Sequence, residues 1–417
     1  MTTTNAEPAR AAMPAGLVRL WTAVGVSSLG DGAFLAAVPL AAATITRDPT
    51  AVAAVTAAMY LPWVLVQPFA GALLDRWRFR TVMLTADFLR AAGVGTLAVL
   101  VATGQATIPL LAMAAFGMVL GQVFHDGAVH AVVPELVGRD GPVLDRANGR
   151  IYSAENAGKQ LIGPPLGSLG YAVTPWLPFA ADAVSFLISG AALSRIPAEL
   201  RTPSTGERPA ILRAVWSGIR WLALHAQLRL SAVIASAGNL AYNAAWATFV
   251  LLATDEHGLD VAAAGFGLLI SAYAVGGVLG SPVTGWFNRR LGPSRTILLL
   301  ALAHGLAWPL IALTANAWLA APLLAVIGAA QTMTTVTNVG LRQSLAPAEL
   351  LSRVNAAFRT LVNSASPVGA LIGGVVATAY GLRAPLFVAG AALLAVALLA
   401  GPALWTRTTS STDSMSH

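Results

Sequence analysis

The chain has no cysteine and only one lysine, Lys159, among its 417 residues. The missing cysteines exclude disulfides, cysteine-ligated zinc and thiol catalysis. Charge of either sign is scarce, at 10% of the sequence against about 25% in soluble domains. Hydrophobic residues make up 56% and the mean hydropathy is +0.70. Such a chain cannot cover itself with polar surface in water, so the bilayer is its expected solvent. No phosphate-binding Gly-x-x-x-x-Gly-Lys-Ser/Thr loop is present, which rules out ATP held in that way. No pairing of histidines and acids has metal-ligand spacing, and no cofactor is expected. The opening MTTTNAEPARAAMPAG lacks a basic segment followed by an apolar core, so no cleaved signal peptide is expected.

What is present is a succession of apolar segments. A helix needs about 20 apolar residues to cross a bilayer. Twelve candidates meet this, from Leu17–Ile45 to Ala384–Trp405, with the fifth at Ala147–Val173. They form two sixes: 17–195 and 228–405. A cytoplasmic tail over 1–16, an inter-lobe loop over 196–227 and a disordered tail over 406–417 complete the division. In the loop, Ile211, Val215, Trp216, Ile219 and Leu222 share one side of an expected surface helix. The net charge of +7 comes from arginines lying between apolar segments, not on one stripe, which argues against a nucleic-acid partner. Nearly all of them fall on the side of the termini; only Arg47 and Arg383 fall clearly on the other. That bias predicts cytoplasmic termini.

The halves repeat one another. PFAGALLDRWRFR after the second span parallels PVTGWFNRRLGPSR after the eighth. Arg146, Asn148, Asn156 and Gly167 match Arg353, Asn355, Asn363 and Gly374 at one constant offset. Two similar bundles joined by a loop are what alternating access around a midplane site requires.

On these residues the chain resembles the major facilitator superfamily over essentially its whole length. GALLDRWRFR is similar to that superfamily's loop signature on Gly71, Asp75, Arg76 and Arg80, with Arg78 where a glycine is usual. GKQLIGPPLG is similar to its antiporter signature on Gly158, Gly163, Pro164 and Gly167, with Ser168 replacing the last glycine. SSLGDGAF, VVPELV, RANG and LSRVNAAFRTL resemble the branch of enterobactin-type siderophore exporters and macrolide efflux pumps. The resemblance implies an all-α fold of twelve transmembrane helices in two six-helix lobes. It also implies a gating latch at Gly71–Arg80, with Asp126 as a candidate partner, and a bend at Gly163–Gly167 that seals the outward side.

Several side chains stand out physically. Asp31 lies in the middle of span 1, where an ionised acid costs roughly 2.5–3.5 kcal/mol, a cost that protonation relieves. It is a candidate proton carrier; the alternative is a fixed partner in helix packing. Glu155 and Lys159 are one turn apart, in the order that favours a helix ion pair. Such a pair shares the cost of burial, and the Gly-Pro-Pro that follows allows a bend and close packing against the other lobe. Glu155 then exchanges protons or binds a cation, Lys159 tunes it or attracts an anion, or the pair is purely structural. Asp87 and Arg90, at i and i+3, neutralise each other locally. Asn239, Asn243, Trp246, Phe249, Gln331, Arg359 and Asn363 are candidate cargo contacts on spans 7, 10 and 11, or polar and aromatic packing between helices. His125 and His130 read as latch or surface residues.

Together these features predict a proton-coupled antiporter exporting a lipophilic or amphipathic small molecule, a monomer in the bacterial inner membrane. Its partners are protons, the small-molecule cargo and the lipid bilayer. An importer or uniporter is the alternative within transport. A membrane-embedded enzyme or receptor is the alternative outside it, although no nucleophile–base constellation is visible.

Overall fold

The computed structural model describes residues 14–74, 76–138, 141–196 and 219–405. Among them every regular element is helical. The rods are α1 (Ala15–Ile45), α2 (Pro49–Leu65, resuming as Gln67–Leu74), α3 (Phe79–Ala102), α4 (Ile108–Val137) and α5 (Gly141–Val173, in three pieces). They continue as α6 (Leu177–Leu193), α7 (Ala226–Thr254), α8 (Ala263–Leu291), α9 (Pro293–Leu313), α10 (Ala317–Leu345), α11 (Ala348–Tyr380) and α12 (Ala384–Trp405). Among the described residues, eight helices are long and apolar enough to cross a bilayer. The first piece of α2 and α6, at 17 residues each, are shorter apolar helices. The expected fifth span therefore starts earlier and is divided. Of the expected surface helix, 219–224 is helical, and Leu222 packs with Ala232, Val354 and Phe358. The rest of that helix, Asp75, residues 1–13 of the N-terminal tail and the tail over 406–417 lie outside the described residues, and α1 begins at Ala15, inside the expected N-terminal tail.

Local chemistry sets the ends. Asp48 caps α2 by accepting from the Thr50 amide, with Pro49 in the first turn. Asn316 caps α10 through the Trp318 amide. Gly292, at φ 80°, makes the sharp turn from α8 to α9 that a side chain would strain.

The packing is inside out relative to a water-soluble protein. On α3, Phe88 and Leu89 are 67% and 62% exposed, whereas Asp87 and Arg90 are almost fully buried. In water that arrangement would expose oil and bury charge; in lipid it does the reverse. Trp176, Trp318 and Tyr380 stand exposed at helix ends on one side, as interfacial aromatics do.

The first six helices pack on one another, as do the last six, and two seams join the groups. At one seam α2 meets α11, where Thr50 and Thr378 share a 2.8 Å hydrogen bond. At the other, α5 meets α8, where Ser271 donates to the Leu161 carbonyl at 2.8 Å. Arg47 reaches Thr254 across the groups at 3.4 Å. These contacts lie toward the side away from the start of α1; call it the far side. On the near side, α5 and α8 part around a cavity of about 760 Å³, lined by Tyr152, Asn156, Gly277, Gln331 and Thr335 among others. The molecule is closed on the far side and open on the near side.

Candidate functional site

The first six helices enclose a ring of charges. Arg90 on α3 holds Asp87 at 2.5 Å and reaches one oxygen of Asp31 on α1 at 3.5 Å. The other oxygen of Asp31 lies 3.4 Å from the Lys159 ammonium on α5. Lys159 also donates to Asp126 on α4 at 2.9 Å. Asp126 lies 3.5 Å from His125 Nδ1, and His125 Nε2 lies 3.5 Å from Asp87, which closes the circuit. Phe186 backs the Arg90 guanidinium at 4.2 Å. Asp31, Asp87, Arg90 and His125 are at most 6% exposed. Three carboxylates thus face two permanent cations and one histidine. With neutral His125 the ring carries one net negative charge, and one added proton balances it.

Two expectations change here. Lys159 does not pair with Glu155; it turns to Asp31 and Asp126. Residues Ala157–Ile162 form a π turn, wider than an α turn, and it carries Lys159 away from the Glu155 register. Glu155 lies instead 3.9 Å from His130, with Oε1 buried and unpartnered among the described residues. Asp126 is not a latch partner either, since Lys159 and His125 hold it inside the lobe. Arg80 donates to the Ser194 carbonyl at the end of α6, and Arg76 is exposed at its turn. Gly71 lies on Gln67–Leu74, and Asp75 falls outside the described residues.

The π turn has a covalent cause. Pro164 and Pro165 lack N–H groups, so the carbonyls of Gln160 and Leu161 lose their helical donors. Ser271 of α8 supplies a donor to Leu161, and the Gly163 amide bonds back to Gly158. The glycines of this stretch serve α1 rather than the other lobe. A methyl group on Gly32 would sit 2.5 Å from the Gly158 carbonyl oxygen, and one on Gly167 would sit 2.3 Å from that of Ala33. The cross-lobe contact falls to Pro164, whose carbonyl oxygen would lie 2.3 Å from a methyl on Gly267.

Two buried groups escaped the sequence reading. Asp182 on α6 is fully buried, accepts from Ser185 at 3.3 Å and fits only because Gly30 has no side chain. Its signal was available as a lone acid in an apolar span. The sequence places His125 at the latch or the surface, whereas in the fold it is 2% exposed. Its partners lie on the same helix and on α3, which one-dimensional spacing does not reveal.

In the other lobe the candidates divide. Asn239, Gln331, Arg359 and Asn363 line a common cavity of about 330 Å³. Asn239 also bonds to Ser366 and the Val362 carbonyl, both at 2.8 Å, and Asn243 donates to the Asn239 carbonyl at 2.8 Å. Asn243 is packing, not lining. Trp246 stacks between Tyr242 and Phe249, with centroids 5.4 and 5.3 Å away, so both its faces are already occupied. Phe249 is fully buried.

A two-lobed helical membrane protein, touching lobe to lobe at one side and enclosing buried charge, has the architecture of an alternating-access transporter. The family described as "Transmembrane secretion effector" matches residues 11–417, and the chain belongs to it, a transporter family of the major facilitator superfamily. The multidrug efflux pump Tap of Mycolicibacterium fortuitum is 28% identical over 337 residues, covering 78% of this chain and 80% of that protein. Macrolide efflux protein A of Streptococcus pyogenes is 22% identical, covering 82% of this chain and 84% of its own. Among solved structures, the nucleoside transporter NupG superposes with a TM-score of 0.73 at 13% identity, covering 94% of this chain and 99% of its own. A bacterial homologue of the iron transporter ferroportin in an inward-facing state also scores 0.73, at 17% identity, covering 92% and 97%. These two likenesses concern the fold alone.

Proposed function

We propose that this protein exports a lipophilic or amphipathic small molecule in exchange for protons. The relatives named as multidrug and macrolide efflux pumps support the direction and the kind of cargo. The carrying observation is the charge ring, in which three carboxylates face two permanent cations. A proton taken up there removes the net charge and weakens the hold of Asp31 and Asp126 on Lys159. Because those three residues sit on α1, α4 and α5, the change reaches the helix that carries the far-side seam. Protonation state and lobe contact are thereby linked, as coupling requires. Glu155, beside the near-side opening, is a second proton acceptor in this scheme.

The test uses the purified protein in proteoliposomes with an imposed pH gradient and radiolabelled erythromycin as cargo. Gradient-dependent movement of the drug, with matching proton flux that a protonophore abolishes, is the expected result. Drug movement indifferent to the gradient would overturn proton coupling. The arginine bias further supports an orientation with the near side in the cytoplasm; in this reading the protein works as a monomer in the bacterial inner membrane. Single cysteines replacing Arg76, Arg146 and Arg290 should resist an impermeant thiol reagent in intact cells; labelling of all three would reverse the orientation.

A further inference from the structure

The cavity of about 330 Å³ in the second lobe has a one-signed lining. Arg342 of α10 and Arg359 of α11 face it, together with His304 and the amides of Asn239, Gln331 and Asn338, and among the described residues no Asp or Glu contributes to its wall. The Arg342 guanidinium is built into place. Its Nε donates to Asn355 at 2.6 Å, and its plane lies 4.0 Å over Phe358. Yet its Nη1 is buried with no partner among the described residues, as are His304 Nε2 and Asn338 Oδ1. Arg342 is 5% exposed, His304 4% and Asn338 2%. A buried guanidinium nitrogen without an acceptor is costly, and a second guanidinium facing the same space adds repulsion. An oxyanion placed between the two arginines removes both penalties, with the planar fork suited to two parallel hydrogen bonds.

Gln331 and Thr335 line this cavity and also the larger opening between the lobes. The site is therefore continuous with the near-side vestibule through which cargo would enter. Phe358, Ile234 and Val362 add apolar wall beside the arginines. We propose that this cavity binds the acidic group of an amphipathic cargo, a carboxylate, phosphate or similar oxyanion, while the first lobe handles protons. The assignment to cargo rests on the transport reading above and adds amphiphiles carrying an acid to the molecules it admits.

Binding tests the inference without any gradient. Purified protein in phosphatidylcholine nanodiscs is titrated calorimetrically with naphthalene-2-carboxylate and with the neutral naphthalene-2-carboxamide. The acid should bind about tenfold tighter or more, as a charge-assisted bidentate contact gives. Arg342→Gln and Arg359→Gln should each erase that preference. Arg342 is packed on Phe358, so if its variant does not fold, the exposed Arg359 carries the test. Equal affinity for acid and amide, no binding of either, or an undiminished preference in Arg359→Gln overturns the proposal. Displacement of the carboxylate by phosphatidylglycerol added to the nanodiscs would make this a lipid-headgroup site and overturn its assignment to cargo. Proton coupling is read separately, by gradient-driven flux, so either reading can fail while the other stands.

Discussion

At the scale of single residues, Asp31 is the hinge of the charge ring, since its two oxygens serve two different cations. Asp31→Asn keeps the size and one acceptor oxygen, but it turns an amide NH2 toward the other cation and removes the titratable proton. We expect gradient-driven export to fall to background while the protein remains folded in the membrane; normal pH-dependent exchange would remove Asp31 from coupling. Lys159 gives the complementary test. Lys159→Ala leaves Asp31 and Asp126 facing each other without their shared cation, a loss of about 3–5 kcal/mol for a stranded buried charge. Lys159→Met combined with Asp126→Asn should regain most of that stability in a detergent melting experiment. A double variant no more stable than Lys159→Ala would mean the two side chains are not energetically coupled. The polar residues of this ring were legible one at a time, because an acid or a lysine in an apolar span is conspicuous. Their pairing was not. Spacing along one helix reveals neighbours three and four residues away, as it did for Asp87 and Arg90. It says nothing of a partner four helices distant, as Lys159 is from Asp31.

At the scale of elements, α5 shows how far a sequence signal reaches. Gly-Pro-Pro plainly marked a disturbed helix. The form of the disturbance, a widened turn upstream of the prolines, depends on Ser271 from α8 being present to satisfy Leu161. That dependence also makes the turn a mechanical link, because α5 cannot keep its shape there if α8 moves away. Pro164→Ala with Pro165→Ala returns two N–H donors and should regularise the helix. We expect a gain in thermal stability of up to about 3 kcal/mol, the cost of a proline inside a helix, reduced because these prolines open a helical piece. We also expect transport to drop at least tenfold, because the seam with α8 loses its donor–acceptor contact. Full transport in the stabilised variant would show that the turn is not a moving part.

At the scale of the molecule, the repeat that was visible as matching motifs reappears as matching seams. Helix α5 packs on α1 of its own lobe and α8 of the other; α11 packs on α7 of its own lobe and α2 of the other. Gly374, the repeat partner of Gly167, sits against Thr50 and Ala53 of α2. The division into lobes was readable because six apolar spans recur twice. The open near side was not, because one sequence serves both states of a rocking molecule and the seam contacts differ between them. Replacing Thr50 and Thr378 with cysteine, in a chain that has none, places two thiols where the hydroxyl oxygens are now 2.8 Å apart. Oxidation should lock the far side, halt export and be reversed by a reductant. Transport that persists in the fully oxidised variant would mean the far-side seam does not open.

The single lysine has a further consequence for protein chemistry. Apart from an unblocked N-terminus, an amine-selective acylating reagent finds one target in this chain, and that target is a member of the charge ring. Its side chain is 19% exposed and held between two carboxylates. Acylation at Lys159 requires the amine to leave those carboxylates, so its rate follows the opening of the ring. Mass spectrometry of one peptide, in unmodified wild-type protein, would then report occupancy of the working states as pH or cargo is varied.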